Sequence, residues 1–303
     1  MHQSTSIGGQ AVIEGVMMKG PTSWSVAVRD AKGVIQTRDE RLRALHRAWK
    51  RPVLRGVVAL FHALVIGIKA LEFSAMVSAE GIEDEKPLTK TAIAGTIAFS
   101  IVLSVVLFIL VPLWATKLIG MVFEVVDKSS VAFNLVDGVV RVFVFLAYVV
   151  GIGLWSEIRR VFEYHGAEHM VIHAFEHGRG MTTGEAMDYS PLHPRCGTSF
   201  LMIVMVVSIV VFSAIPQAWP MLYKFLARLV LVPLIAGLSY EALKLSARFK
   251  DNAIVAAMVW PGLMLQRLTT RTPDEAQVEV ALVAMQRVLD MEETDTLRPE
   301  VQA

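Results

Sequence analysis

Four runs of about twenty apolar residues restrict this chain to folds that cross or line a membrane, because a helix of that length spans a hydrocarbon core. They fall at about Ala92–Leu113, Phe133–Trp155, Ser199–Pro216 and Leu222–Leu243, the third being the shortest. Composition agrees: 54% of residues are hydrophobic and only 19% charged, below the roughly 25% of a soluble domain. The expected fold class is therefore a mainly α, polytopic membrane protein. About four transmembrane helices, juxtamembrane amphipathic helices and a small N-terminal β meander make up the expected architecture.

The soluble parts divide by position. Residues 1–48 form a small β region, with Ala11–Met18 and Trp24–Val28 as strands and Gly20-Pro21 and Asp30-Ala31-Lys32-Gly33 as turns. Glu14 interrupts the first strand, either as a solvent-facing position or as a site residue. Residues 49–91 hold a helix from Pro52 to Ala79 and a charged linker from Glu80 to Lys90. Arg55, His62 and Lys69 recur every seven residues along that helix, a polar stripe suited to an in-plane or bundle-packed position. Transmembrane hairpins occupy 92–155 and 199–244, flanking a polar segment at 156–198. Residues 245–303 begin with a juxtamembrane stretch to Leu268, broken at Trp260-Pro261-Gly262. Thr272-Pro273-Asp274-Glu275 then opens a helix with Thr272 as cap, and its stripe of Val278, Ala281, Leu282, Met285 and Leu289 must dock on another element. Residues 293–303 are expected to be a loose tail.

Charge sets the orientation. The connections at 114–132 and 216–221 are poor in Lys and Arg, whereas 1–91, 156–198 and 244–303 carry most of the basic residues. The positive-inside rule then places both termini and the 156–198 segment in the cytoplasm. A single cysteine excludes an internal disulfide and suits that reducing side. No signal peptide is expected from the first 20 residues, which are Gly-rich and mixed. Net charge near zero argues against a nucleic-acid partner, leaving the lipid bilayer and a membrane-associated substrate or protein. Within the second span Asn134, Asp137 and Arg141 share a face, and Arg228 lies at similar depth in the fourth; they form either an Asp137–arginine pair or a polar conduit.

Five of the eight histidines and the lone cysteine lie between Glu163 and Thr198. On a helix His165, His169 and His173 share one face, with Glu176 near it, and two imidazoles four residues apart are a zinc-binding arrangement. The order His165-x-x-Glu168-His169 is that of the inverted zincins, in which the glutamate is the general base. That string arises by chance in roughly one chain in a hundred of this length, so His173, His193 and Cys196 carry added weight. The mixed His/Cys set favours a divalent metal, Zn²⁺ first and Fe²⁺ second. Each residue also has a plainer role open to it. His165 and His169 can be interfacial histidines bonded to backbone, His173 a helix-surface residue, Cys196 a small buried thiol, and Glu168 a salt-bridge partner of Arg159, Arg160 or Arg195. His177 falls off the shared face and is expected in solvent. Arg195 binds an anionic group or lies at headgroup level. Glu241, at the cytoplasmic end of the fourth span, is either a site residue or an ion-pair partner of Lys244 or Arg248.

The strings Gly-Gly-Gln-Ala-Val-Ile-Glu-Gly-Val-Met-Met (8–18), His-Gly-Ala-Glu-His (165–169) and His-Pro-Arg-Cys-Gly-Thr (193–198) resemble the YqhQ-like family of bacterial membrane proteins. Ser239-Tyr240-Glu241 and Pro261-Gly262 with Gln266-Arg267-Leu268-Thr269-Thr270 extend the resemblance over nearly the whole chain. It implies a bacterial cytoplasmic-membrane protein with a predicted metal-dependent enzyme activity and no settled substrate. Met170 departs from it, standing where a lysine is expected. The leading expectation is a membrane-embedded metal-dependent hydrolase or related enzyme whose site opens to the cytosol, with Glu168 as base and His165 and His169 on the metal, aided by His173 or Cys196. The alternative is a scaffold or assembly factor with a closed structural zinc site of His165, His169, His193 and Cys196. A transporter is disfavoured by the few ionisable residues in the spans and the lack of repeat symmetry. In intact cells, a cysteine introduced near Lys128 should react with an impermeant thiol reagent while Cys196 stays protected; external labelling of Cys196 contradicts the orientation.

Overall fold

The computed structural model describes residues 7–42, 49, 51–79, 90–179, 181–193, 196–246 and 253–296. Four antiparallel strands, β1 (Gly8–Val12), β2 (Gly15–Lys19), β3 (Ser23–Arg29) and β4 (Ile35–Arg41), pair in sequence order as a meander. The expected strand Ala11–Met18 is in fact two: Val12 pairs with Gly15 across a turn at Ile13-Glu14, where Glu14 has φ 50°. The strand β4 was not anticipated.

Both faces of the sheet are covered, which is why β2 and β3 read as nearly unbroken apolar runs. On one face Val16, Met18 and Ala27 pack on α6 (Ser156–Glu176) and α11 (Glu275–Thr296), with Tyr164, Ala167, Val171, Ala281 and Met285 in the same core. On the other, Trp24, Val26 and Met17 meet Ile66, Ala70 and Val77 of α1 (Leu54–Ala79). The cap of α11 lies two residues beyond the expected Thr272. Asp274 accepts from the Gln277 N–H at 2.8 Å, and the Gln277 side chain accepts from the Asp274 N–H at 2.9 Å, a reciprocal capping box. Far along α11, the Glu292 carboxylate accepts from Thr22 and Ser23 and so fastens the helix to the β2–β3 turn.

Among the described residues, four helices are long and apolar enough to cross a membrane: Leu54–Ala79, Ala94–Val122, Ser130–Ile152 and Met221–Ser246. The second comprises α2 (Lys90–Val105) and α3 (Val111–Val122), joined by a π-turn at Val106–Leu110 just before Pro112. A π-turn absorbs the backbone mismatch that a missing proline N–H creates. After a short α4 (Glu124–Lys128) come α5 (Ser130–Ile152) and, beyond the polar segment, α8 (Gly197–Phe212) and α9 (Met221–Ser246). The count of four matches the expectation, but its members differ. With 16 residues α8 is only ~24 Å long, short of the ~30 Å hydrocarbon core. By contrast α1 meets the length and apolarity criteria. One face of α1 lies on the sheet, Lys69 pairs with Glu40 at 2.7 Å, and the opposite face exposes Phe61, Leu64 and Met76. The stretch expected to break at Trp260-Pro261-Gly262 is one continuous helix, α10 (Ala253–Thr269). Of the tail expected over 293–303, the part to Thr296 belongs to α11; the expected linker over 80–89, Arg248, Lys250 and residues 297–303 lie outside the described residues.

Buried charge ties the bundle together. Asp137 of α5 sits between two arginines, bonded to Arg141 one turn on and to Arg228 of α9 at 2.5 Å. Arg228 also donates to Asn134 at 3.0 Å, and Arg141 to Ser208 of α8 at 2.7 Å. Removing the one carboxylate leaves two buried cations facing each other. Asp137→Asn should cost about 3–5 kcal/mol of stability in detergent. The triple change of Asp137, Arg141 and Arg228 to leucine should recover most of it by thermal unfolding, since an apolar replacement of a buried network is often neutral.

Candidate metal centre

The helix α6 buries Tyr164, Ala167, Val171 and Ala174 in the core beneath the sheet, which turns His165, His169 and His173 toward the loop that precedes α8. Gly166 lets another segment run against this helix. A Cβ there would lie 2.0 Å from the Arg271 carbonyl oxygen, so only glycine admits the chain leaving α10. That chain supplies the Thr269 carbonyl, which accepts from His165 Nδ1 at 2.8 Å. The loop after α7 (Thr183–Met187) supplies the Pro191 carbonyl, which accepts from His169 Nδ1 at 2.5 Å. Buried Gln266 fixes the same loop: it accepts from the His193 N–H and donates to the His193 carbonyl, both at 2.8 Å.

These contacts decide the tautomers. A backbone carbonyl only accepts, so each Nδ1 carries the proton and each neutral ring presents a bare Nε2 lone pair. His165 Nε2 lies 3.2 Å from Cys196 Sγ. Among the described residues, His169 Nε2 is buried without a partner. Cys196 caps α8, its sulfur accepting from the Thr198 N–H at 3.5 Å and hydroxyl at 3.4 Å. The ligand atoms of His165, His169 and Cys196 all lie within 4.8 Å of one another. Two ligands at about 2.0 and 2.3 Å from one tetrahedral zinc stand ~3.5 Å apart, so the three fit a single small cation. An orphaned buried imidazole nitrogen, held by a carbonyl behind it, is the arrangement that metal-binding histidines adopt.

The other expected residues divide around this trio. Glu168 is buried and its carboxylate accepts from the Gly9 N–H. Burial raises its pKa to about 7, the Gly9 backbone bond acting the other way. His193 is buried beside them, with its ring 5.8 Å from that of His169 and 4.4 Å from that of His173. Burial and then the His173 charge lower its pKa to about 4, so its 3.3 Å contact with Glu176 is a hydrogen bond from a neutral ring rather than an ion pair. Glu176 thus holds His193 and is not drawn into the trio. His173 is half-buried, its Nδ1 donating to the Ser190 carbonyl at 3.2 Å, and burial lowers its pKa. His177 is exposed, as expected. Arg195 lies outside the described residues.

Two candidates are engaged elsewhere. Arg160 clamps the Glu14 carboxylate, with Tyr164 donating to it at 3.3 Å. Arg55 takes the Glu241 carboxylate, assisted by the Val53 N–H at 3.2 Å; of the partners expected locally, Lys244 makes no ion pair with it and Arg248 lies outside the described residues. Neither acid lines the cavity of about 430 Å³ around the trio, which His165, Glu168, His169, His193 and Cys196 share with β1, Phe162 and Leu201. Backbone bonding of His165 and His169 is one of the roles open to them in the sequence; the particular carbonyls, and the contributions of β1 and Gln266, are not. The signal for a close approach is Gly166 between the two histidines, a residue with no helical advantage.

Comparison with known proteins adds kinship without chemistry. A family described as "Protein of unknown function (DUF1385)" matches residues 51–291. The chain is 31% identical over 301 residues to "Uncharacterized protein YqhQ" of Bacillus subtilis (strain 168), covering 94% of this chain and 92% of that one. No solved structure matches. The family match begins after the meander, whereas the alignment with the Bacillus protein takes in nearly all of the chain.

Gly166→Ala should push the 269–273 segment off α6 and cost about 1–3 kcal/mol. It should also lower bound metal, since the carbonyl orienting His165 moves with it. Gly184→Ala, where a Cβ meets nothing within 4 Å, should change neither thermal unfolding nor metal content.

Proposed function

The chain belongs to the DUF1385 family of proteins of unknown function, and from the geometry we propose that it is a metal-dependent hydrolase working at a membrane surface. One observation carries this: two imidazoles held at Nδ1 by backbone carbonyls stand with their Nε2 atoms beside one cysteine sulfur, and the Nε2 of His169 has no partner among the described residues. His165, His169 and Cys196 would hold the metal, Zn²⁺ being favoured by an imidazole–thiolate set and Fe²⁺ standing next. When bound, the metal supplies Lewis acidity and lowers the cost of deprotonating water.

The chain's own residues supply the rest. Three protein ligands leave a coordination position open, as catalytic sites do and closed structural sites do not. His193, the fourth ligand a structural site requires, is instead directed at Glu176. Glu168 lines the same cavity and carries the one carboxylate there, which accepts a proton from a water and returns it to a leaving group. The Lys/Arg asymmetry of the connections supports a bacterial cytoplasmic-membrane location with both termini and the site on the cytosolic side, where a thiol stays reduced; in that arrangement α1 lies along the sheet without crossing, and α8 and α9 form a hairpin that enters and leaves from the cytosolic side.

Purified wild-type protein should contain one divalent metal per chain by elemental analysis. His169→Ala should lose it and lose stability, since ligation energy feeds folding. Glu168→Gln should keep metal, fold and expression, while complementation of a deletion strain falls by the 10²–10⁴-fold, to order of magnitude, that a general base contributes. Full complementation by Glu168→Gln contradicts the hydrolase and favours a scaffold. Equal metal loss in both variants makes Glu168 a ligand.

A further inference from the structure

The two edges of the meander differ in a way that points to the substrate. One edge, β4, carries Arg38, Asp39, Glu40 and Arg41, the charged dressing by which proteins keep a free strand edge from pairing. The other edge, β1, reads Gly-Gly-Gln-Ala-Val, with no charge, no proline and no bulge. It is the undressed edge that lines the cavity beside His165 and Glu168.

Register shows which backbone groups that edge offers. Glu14 accepts from the Arg29 N–H, so the even-numbered residues of β2 bond to β3 and the odd-numbered ones bond back to β1. Gly8, Gln10 and Val12, opposite Lys19, Met17 and Gly15, therefore spend their backbone groups on β2. Gly9 and Ala11 turn theirs outward. The Glu168 side chain packs against Gly9, and Gly9 and Ala11 line one cavity with His165, so this edge faces the centre. Among the described residues the Gly9 carbonyl and both backbone groups of Ala11 have no hydrogen-bond partner. Gly8 and Gly9 are exposed and present no side chain to obstruct a neighbouring strand.

We propose, resting on the hydrolase assignment above, that the substrate is a polypeptide bound in extended form as a fifth strand on β1. A free strand edge recognises any extended backbone by its alternating donors and acceptors, and flanking pockets select side chains at every second residue. The cavity walls at Phe162, Ile172 and Leu201 make those selected side chains apolar. A lipid satisfies the apolar walls but leaves the Ala11 N–H and carbonyl unmatched. The reaction is then amide hydrolysis. The oxygen of a water bonds to the peptide carbonyl carbon and the C–N bond breaks. The proton that Glu168 takes from the water goes to the leaving nitrogen.

Fluorescence anisotropy on the full-length protein in detergent tests this, using labelled, end-capped peptides of about eight residues, a strand's length, with Leu or Val at every second position. Two backbone N-methylated versions remove donors in one register or the other without changing side chains. Methylation in the register that faces β1 should weaken binding about ten-fold, and methylation in the other register should leave it unchanged. Ala11→Pro removes the outward N–H while sparing every β1–β2 bond, so it should show the same loss toward the unmodified peptide with metal content intact. Equal binding of both methylated peptides, displacement of the peptides by phospholipid vesicles without register dependence, or no binding to the wild type overturns the proposal. Should Ala11→Pro fail to fold, the two methylated peptides on wild-type protein decide alone. Register-dependent binding by protein that holds no metal would support strand addition while sinking the hydrolase assignment. Full metal content with no peptide binding would do the reverse.

Discussion

Two backbone carbonyls, at Thr269 and Pro191, determine what the histidines of this protein can do. By accepting from Nδ1 they leave the His165 Nε2 lone pair facing the Cys196 sulfur and the His169 Nε2 buried with no partner among the described residues, a state that a water or a cation relieves. The elements that hold those carbonyls can be read as supports for that state. Gly166 admits the end of α10 against α6, and Gln266 pins the loop that ends at His193. Neither residue has a side chain suited to chemistry at the trio, yet each fixes a group that does.

The centre sits where a soluble-like module meets an apolar bundle. α6 follows α5 after a three-residue turn and buries one face under the sheet, giving two histidines from a rigid element. α8 begins at Cys196, so the sulfur arrives at the mouth of a helix rather than on a loose loop. The shortness of α8 follows from that duty. Its first turn is spent at the site, and the remainder packs against α5, α9 and α10 instead of matching a full hydrocarbon thickness. The buried Asp137 network then holds α5, α8 and α9 in a fixed relation, which in turn fixes where Cys196 meets α6.

Local periodicity made much of this legible. Three histidines at four-residue spacing share a helix face, and the stripe from Val278 to Met285 docks as its spacing requires. Signals that depend on distant partners did not show. Arg55 lies 186 residues from Glu241, Arg160 146 from Glu14, and Thr269 104 from His165, so local sequence offers Glu241 only Lys244 or Arg248, leaves Glu14 looking solvent-facing, and does not say which carbonyl holds His165. The turn at Ile13-Glu14 was hidden because a sheet buried on both faces erases the period-two alternation that marks strand ends. β4 was missed for the opposite reason, being charged along most of its length. The third span looked longer than α8 because Ile215 and Pro216 extend the apolar run beyond the point where the helix ends at Phe212.

The central claim is a three-ligand metal centre with an open side. X-ray absorption at the metal edge on purified wild-type protein tests it directly. The account predicts one sulfur at about 2.3 Å, two imidazole nitrogens at about 2.0–2.1 Å and a further light atom that exogenous azide or cyanide displaces. A closed shell of one sulfur and three imidazoles, unaffected by such ligands, would contradict it, as would protein that takes up no metal at all.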